Sequence, residues 1–278
     1  MGLAAVGRHV GRRLVGSSEW NLRRTIRAAG GRLPANPPES DGMNTVLKTR
    51  QQVERALREV DRCGLPRHND DAKNWDALAA LHTILSSTGP DARVLEVGAP
   101  LYSVMLPWLY QYGYRDLTGI DVVYSDPIRR GPIRYEFGDI TRRTRFADAS
   151  FDVICAMSVI EHGVDLTRYF SEAARLLTRG GLLITSTDCW KDPVDTRGQT
   201  AYGQPIKVFT PREIVAMLET AREYGLRLGP GRDLDLVCEE PAVTWARFGL
   251  EFTFACFTLV REDSRTSRDP ESEDDGVR

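Results

Sequence analysis

A chain of 278 residues, 41% apolar and 27% charged, has the composition of an ordinary globular protein and can bury a real core within one elaborated domain. Its formal net charge of −2 argues against a general nucleic-acid binder, and its five scattered cysteines show no C-x-x-C pair and no zinc-like spacing, which fits a reduced, cytosolic compartment. No apolar run reaches the ~18–20 residues of a membrane span.

Residues 1–32 carry seven arginines against one acidic residue, Glu19, and Arg8, Arg12 and Arg13 interrupt any signal-peptide core. The segment reads as a poorly ordered or loosely docked arm, with a basic membrane-surface helix or a transit peptide as the alternatives. The Pro- and Gly-dense "GGRLPANPPESDG" marks a linker with a boundary near Asp41. The chain then divides into a basic arm and linker over 1–41, a domain with its own N-terminal helices over 42–262, and an acidic tail over 263–278. From Met43 to Cys63 the text is helical in composition, and in "NWDALAALHTIL" Trp75, Leu78, Leu81 and Ile84 fall on one helical face that would pack on a sheet. The tail has almost no apolar residues to offset the entropy of ordering, so disorder is expected there.

Between these ends short apolar runs alternate with helical text. Strands are expected at Arg93–Val97, Asp116–Asp121, Ile133–Phe137, Phe151–Met157 and Gly181–Thr187, and helices at Leu101–Tyr112, Asp165–Leu177 and Pro211–Tyr224. This alternation implies an α/β fold with a doubly wound, mostly parallel sheet covered on both faces. Two later runs, near Leu234–Cys238 and Phe252–Arg261, suggest an antiparallel pair at one edge.

Such sheets bind ligands outside the carboxyl ends of their strands, where strand order reverses. Residues with binding chemistry do follow the expected strands: Gly98 the first, Asp121 the second, Asp139 the third, and Ser158 to His162 the fourth. Asp121 stands 23 residues beyond Gly98, close to the ~20 that separate a Gly turn from a ribose-binding acid. Its plain alternative is an acid that ends a strand at a solvated turn.

"VLEVG", "LTGIDV", "YEFGDI" and "FDVICAMSVIEH", followed by "LLTRGGLLITST", resemble in order and interval the motifs of the class I S-adenosylmethionine-dependent methyltransferases. The resemblance spans roughly Ala92 to Thr187 and implies a seven-stranded Rossmann-like sheet, with S-adenosylmethionine as cofactor. By that resemblance Glu96 and Gly98 would line the methionine end, Ala99 would join the cofactor-binding residues, Asp121 would hold the ribose, Val122 and Ile140 would sandwich adenine, and Asp139 would meet its amino group. The backbone at Ala156 and Met157 would reach the amino-acid part of the cofactor.

The first motif departs from the family where Pro100 and Tyr102 replace glycines. A sulfonium cofactor has no pyrophosphate and needs no full nest of N–H groups, so Gly98 can supply the tight turn while Pro100 opens the following helix. A nicotinamide dehydrogenase is the enzymatic rival, yet none of the nine tyrosines has the Lys four residues on that short-chain members need. A non-catalytic relative of the fold is the other alternative.

His162, in "SVIEHG", is the candidate general base, its alternative being a histidine that holds the loop. Glu161 could orient that loop, and no metal site is expected. Acceptor specificity is expected in "PRHNDDAKNWD" and in a lid over Asp188–Thr210, where Trp190, Asp192, Asp195 and Tyr202 could grip a small polar or saccharide-type acceptor, methylated through oxygen. Neither segment reads nucleic acid.

Overall fold

The computed structural model describes residues 37–229 and 233–262. The basic arm, apart from its last residues, and the acidic tail lie outside the described residues. Strand β1 (Thr45–Val46) and helices α1 (Arg50–Arg62) and α2 (Lys73–Ser87) precede β2 (Arg93–Val97), α3 (Met105–Gln111), β3 (Asp116–Asp121), β4 (Ile128–Arg130), β5 (Ile133–Phe137), β6 (Phe151–Met157), α4 (Leu166–Leu176) and β7 (Leu177–Cys189). The hairpin β8 (Thr200–Ala201) and β9 (Gln204–Pro205), helix α5 (Pro211–Glu223), and strands β10 (Leu226–Leu228), β11 (Val243–Trp245) and β12 (Leu250–Arg261) follow.

The main sheet has the order β1-β12-β7-β6-β2-β3-β5-β4, with β10 and β11 also paired to β12. Strands β7, β6, β2, β3 and β5 run parallel, while β12 lies antiparallel on β7 and β4 antiparallel on β5. The chain winds from β2 outward to β5 and returns to β6 on the other side of β2, so the order reverses between β2 and β6. The carboxyl ends of those two strands open on the crevice where such folds bind ligands. One face of the sheet packs α1, α2 and α3 through residues such as Trp75, Leu78, Leu81 and Trp108. The other packs α4 and α5 through Phe170, Leu176, Ile214 and Met217. Local signals set the starts: Asp165 caps α4 by accepting the Arg168 amide, and Thr210 and Glu213 form a capping box that brackets Pro211, the first residue of α5.

Three expectations change. The main sheet has ten strands rather than seven, because β1, β4, β10 and β11 have two or three residues and are too short to show a period. Leu234–Cys238 is no strand: the Asp235 side chain accepts the Val237 amide at 3.1 Å, a local turn that competes with a ladder, and only an isolated bridge joins Asp235 to Thr45. The helix after Gly98 starts at Met105, not Leu101, because the Pro100 carbonyl accepts the Ser103 amide at 2.8 Å and closes a turn first. Pro100 therefore shapes that turn and does not open the helix. No helix among the described residues is long and apolar enough to cross a membrane.

Candidate functional site

The loop after β2 is held close to the sheet. Gly98 has φ +64°, and a Cβ there would stand 2.6 Å from Cγ2 of Val159, in the loop after β6. Gly119 on β3 leaves room for the same loop, since its Cβ would stand 2.8 Å from that of Ala99. Ala99 is fully buried: its amide donates to Ile120 at 3.0 Å, and its carbonyl accepts the Tyr124 hydroxyl at 2.6 Å. Both its backbone groups serve the turn itself.

Glu96 is buried beneath this loop, where Ser103 Oγ donates to its Oε1 and Oε2 makes no hydrogen bond. Burial pushes its carboxyl up to about 7, against the opposing effect of Ser103. In the unfolded chain the same group ionises near its ordinary value of 4.5. The folded state thus binds the extra proton between these two values, and stability from this group falls as pH rises through that window. Relative to Glu96→Gln, the empty wild-type protein is expected to lose about 2–3 kcal/mol between pH 5 and pH 8. Parallel urea titrations of both proteins at the two pH values measure this; equal losses in the two would refute the assignment.

At the end of β3 the Asp121 Oδ1 accepts the Val123 amide at 3.1 Å. Burial raises its pKa, and the amides of Val123 and Val122 oppose that rise. A carboxylate has about four lone-pair sites, so two amides leave capacity for two hydroxyl donors. Val122 is 61% exposed, and Phe137, paired with Asp121 in the ladder, is also 61% exposed. With Val123 they form an apolar shelf beside the carboxylate. Asp139 is more committed: Oδ1 accepts the amide and hydroxyl of Thr141 at 2.9 and 2.6 Å, and Oδ2 lies 3.2 Å from Arg142 Nε. Ile140 is buried among core residues of the α4 and α5 face. The ribose and methionine ends of a sulfonium nucleoside fit these groups, and the exposed shelf fits an adenine face.

Ala156 is fully buried and Met157 half-buried at the end of β6. The next residue, Ser158, has φ +54°, and its amide donates to the Ser186 carbonyl at 3.0 Å. His162 follows in the same loop, with Nδ1 buried and making no hydrogen bond. Burial lowers its pKa, helped by the Lys73 ammonium and opposed by Glu161.

Beside this loop, on the α2 face, lies a charged cluster of which the sequence singles out only Glu161 by residue, the others falling within the two segments expected to set acceptor specificity. Lys73 and Asp76 come from the first turn of α2, Glu161 from the β6 loop, and Asp188 from the end of β7. Asp76 Oδ2 accepts Ser186 Oγ at 2.7 Å and lies 3.5 Å from Lys73 Nζ, which sits 3.6 Å above the Phe254 ring. Glu161 accepts the Thr187 hydroxyl at 3.2 Å and shares a hydrogen bond with Asp188. Burial and the Glu161 charge push Asp188 well above the carboxylate range, against Lys73. Two His–Tyr pairs adjoin the cluster through their histidines, which feel the charges of Lys73 and its carboxyl partners: His68 with Tyr102 at 6.3 Å and His162 with Tyr202 at 5.5 Å between centroids, the two tyrosines being hydrogen-bonded.

Tyr202 reaches His162 and Tyr102 from the β8–β9 hairpin, whose turn residues Tyr202 and Gly203 both have positive φ. The other lid residues named from sequence do not gather here. Trp190 packs against the core, Asp192 is exposed, and Asp195 accepts the Arg197 amide at 2.8 Å.

A family model described as a methyltransferase domain matches residues 50–228. No curated protein matches the chain. Among solved structures, the chain is similar to the 1,6-didemethyltoxoflavin-N1-methyltransferase of Burkholderia thailandensis at 17% identity, over 83% of this chain and 94% of that one, with a TM-score of 0.49. It is similar to an S-adenosylmethionine dependent methyltransferase from Mesorhizobium loti at 15% identity, over 68% and 98% of the two chains, with a TM-score of 0.48. The geranyl diphosphate C-methyltransferase of Streptomyces coelicolor is similar at 17% identity, over 83% and 100%, with a TM-score of 0.47.

Proposed function

The chain belongs to the family of methyltransferase domains, and from that premise we propose that it transfers the methyl group of S-adenosylmethionine to an oxygen of a small polar, saccharide-type acceptor. The observation that carries the reading is the placement of the Gly98 turn and the Asp121 carboxylate at the ends of neighbouring parallel strands, beside an exposed apolar shelf. Asp121 binds the ribose hydroxyls, Gly98 and the β6 end face the methionine part, and Val122 and Phe137 cover adenine, with Ile140 supporting from the core. Asp139 reaches the adenine amino group through the oxygen it shares with the exposed Arg142 side chain. Ala99 supports the turn.

When bound, S-adenosylmethionine supplies a sulfonium methyl that is already activated. The chain's own task is to align the acceptor oxygen, exclude water and take one proton. His162 would take that proton from the acceptor hydroxyl, while S-adenosylmethionine, held by Asp121 and the Gly98 turn, would supply the methyl group. The lowered pKa of His162 keeps the ring neutral and ready at neutral pH. The 190–209 segment acts as the lid, tied at its root where the Phe209 amide donates to Asp188 and the Trp190 amide to Phe209. Trypsin is expected to cut the empty protein at the exposed Arg197, and S-adenosylhomocysteine with acceptor to slow the cut; equal rates in both states would leave a passive loop. The function itself is tested by calorimetric titration, in which S-adenosylmethionine and S-adenosylhomocysteine bind and NAD does not. Binding of NAD alone would overturn it.

A further inference from the structure

Buried polar atoms without partners are rare, and where they converge a ligand is the simplest partner. Three such atoms belong to the charged cluster and the β6 loop beside it: Lys73 Nζ, Ser158 Oγ and His162 Nδ1, each buried and without a hydrogen bond. Lys73 and Ser158 belong to one network, since the Ser158 amide donates to Ser186 Oγ at 3.2 Å, Ser186 Oγ to Asp76 Oδ2 at 2.7 Å, and Lys73 Nζ stands 3.5 Å from that same oxygen, while the His162 imidazole, four residues beyond Ser158, feels the charges of Lys73 and Glu161. The nearby carboxylates are already served. Asp76 accepts Ser186 and the Ala77 amide, and Glu161 accepts Thr187 and is bonded to Asp188. What the network lacks is therefore an acceptor for Lys73 and a partner for Ser158 and His162.

Charge narrows the partner. One buried ammonium faces four carboxyl groups, Asp76, Asp188, Glu161 and Asp70, of which Asp188 is pushed toward its neutral form and the others still outnumber the single cation. An anionic ligand would meet that surplus unscreened, whereas an uncharged oxygen can accept from Lys73 at no such cost. Resting on the methyltransferase reading above, we infer that Lys73 and Ser158 anchor one oxygen of an uncharged, polyhydroxylated acceptor whose neighbouring hydroxyl lies at His162 Nδ1. The pocket thereby rejects anionic analogues of the same skeleton. Lys73 is a specificity residue in this arrangement and Ser158 its partner. The strained φ of Ser158 fits the role, since such backbone is kept where geometry matters to function.

The probe is a set of related compounds: D-glucose and myo-inositol as neutral polyols, D-glucuronate and myo-inositol 1-phosphate as anions, and D-glucosamine as cation. Saturation-transfer NMR is recorded on protein filled with S-adenosylhomocysteine, whose binding is checked separately by calorimetry. The expected result is a signal from a neutral polyol and none from its anionic counterpart. Lys73→Met should weaken that binding about tenfold or more, the scale of one charge-assisted hydrogen bond, with S-adenosylhomocysteine affinity unchanged. It should also raise the pKa of His162 in an imidazole NMR titration, since the ammonium that lowers it is gone. If Lys73→Met fails to fold, Ser158→Ala carries the same test on polyol binding. Preferential binding of an anion or of glucosamine, or no binding of any compound by the filled protein, overturns the inference. Failure of S-adenosylhomocysteine to bind overturns the cofactor reading instead.

Discussion

Replacing His162 with glutamine is expected to lower turnover by ~10²–10⁴-fold, the contribution of a positioned general base, with affinity for S-adenosylmethionine unchanged. Glutamine keeps a polar side chain in the loop but cannot take a proton. His162 has Nδ1 buried and unbonded, and the Tyr202 ring stands edge-on to it at 5.5 Å between centroids, so the structure fixes the ring without using up its nitrogen. Burial lowers its pKa below the ordinary 6.5, which disfavours the imidazolium. The acid limb of kcat/KM is therefore expected below that value, with the rate rising through the limb as pH increases and flat above it. Formation of S-adenosylhomocysteine in single turnovers, followed across pH, measures both features. Full turnover in the glutamine variant would return His162 to the role of a residue that merely holds the loop.

Gly98→Val should cost both binding and stability. Its φ of +64° is a conformation that a β-branched residue strongly resists, and the new Cβ would stand 2.6 Å from Val159 Cγ2. The strain alone is of order 1–3 kcal/mol, and relieving the clash must displace either the β2 loop or the β6 loop. In the proposed site both flank the methionine end of the cofactor, so affinity for S-adenosylmethionine is expected to fall at least ~100-fold, about 2.7 kcal/mol. Paired titration and thermal melting separate the two effects. A variant that melts lower yet binds as wild type would mean that the β2 loop is not part of the site.

The central strands were legible because their apolar runs are long and bounded: β2, β3, β5 and β6 begin and end where the sequence pattern places them. The edge was not, because β10 and β11 have three residues each and owe their strand state to the long β12 beside them. The turn at Pro100 escaped for another reason. Proline suits the first position of a helix as well as a turn, and here the Arg130 guanidinium, donating to Leu101 at 2.6 Å, helps hold the turn from a distant strand. Within the site, Gly98, Asp121 and His162 stand out by following strands, whereas Lys73, Asp76 and Asp188 carry no local signal. Lys73 and Asp76 sit in the first turn of a helix, and Asp188 lies near the end of a strand, ordinary places for charged residues. Only tertiary packing buries them together. Phe137 and Val123 carry no signal of their own in the sequence, and their exposure becomes informative only with Asp121 beside them.

The central claim is that S-adenosylmethionine binds at the β2 and β3 ends with its ribose on Asp121. Calorimetric titration of wild type and Asp121→Ala with S-adenosylmethionine, each variant also melted without ligand, tests it most directly. The expected result is a loss of ~1.5–3 kcal/mol in affinity, the scale of hydrogen bonds to a charged group, with the melting temperature of the empty protein nearly unchanged. Equal affinity in the two proteins would contradict the account, and an equal drop in melting temperature with and without cofactor would make Asp121 a strand cap.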